Sequence, residues 1–126
     1  MLFLLLLLAE VPAAVSPAFP AGGSASEFCA FVRKDIAANA NEKGGRFVVD
    51  CAGKSVDLHV DASPKDVANA ERLREVFAAR EAQGCGQIRA TASGPEMFRR
   101  DWHVDVYLDA PSQASVQVAR FHCRQP

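Results

Sequence analysis

The chain has 126 residues, and its first 25 do not read as part of a folded domain; the remainder, Ser26–Pro126, is enough for one domain and too short for two. Of 14 Lys+Arg and 15 Asp+Glu, all but Glu10 follow residue 25, so this domain is formally neutral. Neutrality argues against a nucleic-acid binder, which needs a clustered basic footprint, and against a polybasic membrane-surface module.

Leu2 to Ala9 is apolar without interruption. That is far short of the roughly 20 residues that span a bilayer, but it fits the apolar region of a secretory signal. Residues 1–25 are therefore expected to be a signal peptide and flexible segment, and no transmembrane span is expected in the mature protein. Cleavage after Ala13, Ala18 or Ala25 would place Val11, Ser16 or Gly23 three residues back, and Ala18 or Ala25 is preferred. No Lys or Arg precedes Leu2, so either the start lies upstream or the signal is weak. The residues before Cys29, Ser26-Glu27-Phe28, lack the small apolar context of a lipid-attachment cysteine.

Cys29, Cys51, Cys85 and Cys123 agree with export to a periplasmic or extracellular space, where an even set in a small domain reads as disulfides. No spacing is short enough for a zinc pair. The helix leaving Cys29 and the strand returning to Cys51 bring those two together, which leaves Cys85 for Cys123. This pairing leads the three possible ones. A simple meander of the last strands would oppose it by putting Cys85 and Cys123 at opposite ends of the sheet.

Ser24-Ala25-Ser26-Glu27 has the form of a capping box. Phe28, Cys29, Val32, Ile36 and Ala40 follow at helical spacing until Gly44-Gly45. Arg46 to Cys51 and Val56 to Asp61 alternate around the turn Ala52-Gly53-Lys54-Ser55, a hairpin with one buried face. Ser63-Pro64-Lys65-Asp66 starts a second helix, carried by Val67, Ala70, Leu73, Val76 and Phe77 to near Gly84. Gln87 to Thr91 reads as a short strand broken by Ser93-Gly94-Pro95. Trp102 to Asp109 alternates clearly, and Ser115 to Cys123 forms a last strand whose phase slips near Arg120, predicting a bulge there. The expected fold is a disulfide-stabilised α+β two-layer sandwich. Two helices would pack on one face of a mostly antiparallel sheet of about five strands, in the order helix-strand-strand-helix-strand-strand-strand.

One pattern repeats. Asp57-Leu58-His59-Val60-Asp61 and Asp101-Trp102-His103-Val104-Asp105 share D-x-H-V-D, 44 residues apart, which suggests a duplicated helix–strand–strand unit. Strand period two puts Asp57, His59 and Asp61, and likewise Asp101, His103 and Asp105, on one face, with Tyr107 beside them. On neighbouring strands these would gather nitrogen and oxygen donors suited to zinc or manganese, with His59 and His103 as ligands, and imidazoles beside carboxylates would make the patch pH-sensitive. The plainer reading, a solvated face on which Arg46 and Arg89 pair with the aspartates, is the stronger one.

Other candidates are weaker. Gly84-Cys85-Gly86 reads as a disulfide anchor before an activated thiol, and His122 as a surface residue. Phe98-Arg99-Arg100-Asp101-Trp102 reads as core aromatics with a solvated arginine pair before a contact loop. With no Gly-x-Ser-x-Gly elbow and no phosphate loop, no cofactor is implied and an enzyme is disfavoured. The sequence points to a small exported binding or accessory domain, inhibitor-like in size, with a protein, an envelope component or a small ligand as partner. A divalent-metal-binding domain is the alternative, and a small hydrolase using a His/Asp pair ranks third.

Overall fold

A computed structural model describes residues 19–39 and 44–124; the apolar leader and Ala40 lie outside the described residues. The fold is α+β. Helix α1 (Ala25–Asn39) precedes the hairpin β1 (Gly45–Asp50) and β2 (Ser55–Asp61). Then come four short helices, α2 (Pro64–Ala68), α3 (Ala70–Ala79), α4 (Glu81–Arg89) and α5 (Gly94–Arg99), and a second hairpin, β3 (His103–Asp109) and β4 (Val116–Phe121). No helix of the described residues is long and apolar enough to cross a membrane.

The four strands lie in the order β1-β2-β3-β4. The outer pairs are antiparallel and the central pair, β2 with β3, is parallel. Parallel neighbours require a long crossover, and α2–α5 supply it. The expected fifth strand, Gln87–Thr91, is absent: Gln87 to Arg89 complete α4, and Thr91 caps it through its hydroxyl to Ile88 O at 2.7 Å. Two glycines inside α4 each weaken a helix by about 1 kcal/mol, which is why the local signal stops at Gly84. Tertiary contact overrides it. Gly84 lies against the Phe121 ring, where an added Cβ would not fit, and Cys85 is bonded to Cys123.

Ser93-Gly94-Pro95 likewise begins a helix, α5, in place of breaking a strand. Its entry is tied to α1, because the Asp35 carboxylate accepts the Ser93 N–H at 3.0 Å and hydroxyl at 2.7 Å. The long second helix is divided at Asn69 and Arg80, although its start keeps the expected Ser63 cap and Pro64, with Asp66 closing a capping box back onto Ser63. In β4 the register with β3 shifts beside Val118, so the irregularity falls two residues before Arg120.

Both disulfides are present, Cys29–Cys51 and Cys85–Cys123. Each ties a helix to a strand end: Cys29 sits in α1 and Cys51 follows β1, while Cys85 sits in α4 and Cys123 follows β4. The meander objection to the second bridge falls with the fifth strand.

Register sorts the side chains. Phe47 and Val49 of β1, Val56 and Leu58 of β2, Val104, Val106 and Leu108 of β3, and Phe121 of β4 share one face. They join one core with Phe28 and Val32 of α1, Phe77 of α3, Ile88 of α4 and Met97 and Phe98 of α5. Trp102, edge-on to Phe28 at 5.4 Å between ring centres, completes it. The opposite face carries the polar residues.

Candidate functional site

The polar face is built by strand period two and extended across the sheet by pairing. Arg46 lies beside His59, and His59 beside Tyr107, which faces Gln117 on β4; Val48 lies beside Asp57, and Asp57 beside Asp105, which faces Arg120. These side chains form two linked clusters, each centred on an aspartate.

Asp109 holds the first. Its carboxylate meets His59 Nδ1 at 3.0 and 3.1 Å, and accepts Arg46 Nη1 at 2.9 Å and the Ser115 hydroxyl at 2.6 Å. Burial pushes this carboxyl upward, but the hydrogen bonds from His59, Ser115 and Arg46 outweigh it and hold its pKa at about 2. An ionised carboxylate only accepts, so the contact with His59 places a proton on Nδ1 and leaves Nε2 as the ring's other site. The imidazole also stacks on Tyr107, with centres 4.9 Å apart and planes at 12°.

Asp105 holds the second. It is 2% exposed, and so deep a charge needs compensation. Arg120 supplies a two-pronged contact, Nε at 2.9 Å and Nη2 at 3.1 Å, and His103 Nδ1 approaches at 3.0 Å. The carboxylate in turn raises the Arg120 pKa. Asp57 stands beside Asp105 on the neighbouring strand, with a buried Oδ1 that has no hydrogen-bond partner. Burial, then the charges of Asp105 and Asp57, push the Tyr107 hydroxyl above its ordinary value, so it stays protonated at neutral pH.

The two D-x-H-V-D segments reach neighbouring strands but do not meet in register. Ser55 pairs with His103, and His59 with Tyr107, so the imidazoles are four residues apart, about 13 Å along the strands. The structural counterpart of Asp57-Leu58-His59-Val60-Asp61 is Asp105-Val106-Tyr107-Leu108-Asp109. The copies also occupy unlike positions, the second strand of one hairpin and the first of the next, and Trp102 follows a helix directly. A unit-for-unit duplication would not place them so.

The other expected site residues are scattered. Asp61 is exposed at the end of β2. Asp101 lies off the sheet with φ at 62°, its carboxylate 3.5 Å from His122 Nε2. Arg46 pairs with an aspartate as expected, but Arg89 sits in α4, beside the Phe98 ring and within 3.4 Å of Arg124 O. No group of three or more His, Cys, Asp or Glu among the described residues is placed to hold a metal ion. Ser115 donates to Asp109 and not to an imidazole, so it forms no nucleophile–base pair with His59.

Asp109, Ser115 and Arg120 are the site residues that motif reading passes over. Asp109 was within reach, being the next same-face position after Tyr107. Arg120 depends on the β4 register and Ser115 on the turn, and neither leaves a local signal. Compared with protein-family models, curated proteins and solved structures, the chain matches none.

Proposed function

We propose that the chain is an exported, disulfide-stabilised binding domain that engages a protein partner through the polar face of its sheet, with the helices as a second layer behind it. The observation that carries this reading is the make-up of that face. Val48, 42% exposed, is the exposed large hydrophobic of the described residues. It shares that face with Arg46 on its own strand, with the stacked His59–Tyr107 pair and, on the far edge strand, with Arg120; the Arg46 and Arg120 side chains are 58% and 55% exposed. Arginine and aromatic side chains around an apolar point are the composition favoured at protein interfaces. Holding Arg46 and Arg120 on carboxylates lowers the ordering cost of presenting them. Export is supported by the bonding of all four cysteines, which persists in oxidising compartments, together with the apolar leader.

The test is retention of envelope proteins on immobilised wild-type protein and on Val48→Glu and Arg46→Ser variants. A partner held by the wild type and at least tenfold weaker on both variants supports the reading. Equal retention on all three refutes it.

A further inference from the structure

Three bonds in the leader satisfy the small-residue rule for signal processing, and the folded domain discriminates between them. The bond after Ala25 lies in the first turn of α1, inside its capping box. Ser24 Oγ accepts the Glu27 N–H at 3.1 Å, and the Glu27 carboxylate accepts the Ser24 N–H at 3.4 Å. A chain cut there would fold without that cap.

The residues before the cap are equally committed. The Phe19 ring packs on Phe28 and Phe31, with centres 5.2 and 5.3 Å away. Gly23 lies so close to that ring that no Cβ would fit. Arg100, expected to be solvated, fastens this segment down. Its Nε is held by the buried Glu96 carboxylate at 2.7 Å, and its Nη2 donates to Gly23 O at 2.7 Å and Ala21 O at 3.2 Å. The guanidinium stands 5.3 Å from the Phe19 ring centre and 4.8 Å from that of Phe28. A chain beginning at Ser26 would strip these acceptors from a guanidinium that is largely buried, a costly arrangement.

The segment from Phe19 to Ser24 therefore belongs to the mature domain, and the processed bond precedes it. Of the two remaining bonds, the one after Ala18 has small residues, Ser16 and Ala18, at both recognised positions, whereas the one after Ala13 sets β-branched Val11 three residues back. We infer that a signal endopeptidase hydrolyses the Ala18–Phe19 bond, and that the mature protein begins at Phe19 with its N-terminal strap locked by Arg100. Water adds across that amide, leaving a carboxylate on Ala18 and a new α-amino group on Phe19. The inference rests on the reading of the chain as exported.

The experiment is expression of the full chain in a secreting bacterial host, followed by N-terminal sequencing and unreduced mass measurement of the exported protein. The expected species starts at Phe19 and carries two disulfides. An exported species starting at Ala14 or Ser26 overturns the assignment and leaves export standing. Retention of the full-length chain in the cell overturns both. For the strap, amide exchange at Gly23 and Phe28 in the exported protein is expected to quicken at least tenfold in Arg100→Ala, since their N–H groups donate to Pro20 O and Ser24 O within it. Unchanged exchange would overturn the locking role.

Discussion

Replacing Asp109 by asparagine should cost stability in a way that vanishes in acid. The carboxyl is held at about 2, against an ordinary 3.8. At roughly 1.4 kcal/mol per pH unit, that gap corresponds to about 2 kcal/mol of preference for the charged form in the folded protein. With the Asp109 side chain 21% exposed, solvent screens the pair only in part. The sign follows from the depressed value. As pH falls, the unfolded chain takes up this proton first, so the stabilisation is fully present above about 4 and disappears between about 4 and 2. Asparagine keeps the shape and loses the charge. Urea unfolding of wild type and Asp109→Asn at pH 6, 4, 3 and 2 should therefore give a difference near 2 kcal/mol at pH 6 that closes toward zero at pH 2. A difference that stays constant across that range would show that Asp109 acts by packing, and the electrostatic account of the first cluster would be wrong.

Other consequences are equally direct. The chain has a single tyrosine, so absorbance titration reports Tyr107 alone; its midpoint should lie above 10 and move down in Asp57→Asn, and an unmoved midpoint would rule out the Asp57 contribution. Gly84→Ala should destabilise by about 1–3 kcal/mol through overpacking against Phe121, whereas Gly86→Ala, with nothing within 4 Å, should stabilise by up to about 1 kcal/mol. Equal effects of the two changes in denaturant unfolding would contradict the packing of α4 on β4. Removing the Cys85–Cys123 bridge with paired alanines frees a loop closed at a sequence separation of 38, for an expected loss of about 4 kcal/mol. A loss below about 1 kcal/mol would mean that the unfolded chain is already constrained there.

What reading the residues delivers depends on how local the cause is. Ser24 and Glu27, and Ser63 and Asp66, cap helices through contacts three residues apart, so both starts are visible in the chain itself. The alternation along Val56–Asp61 and Trp102–Asp109 needs no partner strand to be recognised, and it separates the apolar and polar faces correctly. The bridges were reachable too, because α1 and β1 form an out-and-back pair that returns Cys51 to Cys29.

Tertiary structure decided the rest. Register across the parallel pair depends on the whole crossover from Ala62 to Trp102, and a shift of four residues keeps every side chain on its face. Alternation is blind to such a shift, which is why the two D-x-H-V-D segments looked superimposable and yet place His59 beside Tyr107. Helix at Gln87–Arg89 is likewise held by Phe121 and Cys123, more than thirty residues away, against the preference of its own glycines. The formal neutrality of residues 26–126 stands as composition alone sets it. The fold determines how that charge is arranged: Asp105 with Arg120 across the strand pair and His103 on its own strand, and Asp109 with Arg46, His59 and Ser115, because a carboxylate drawn out of water needs partners.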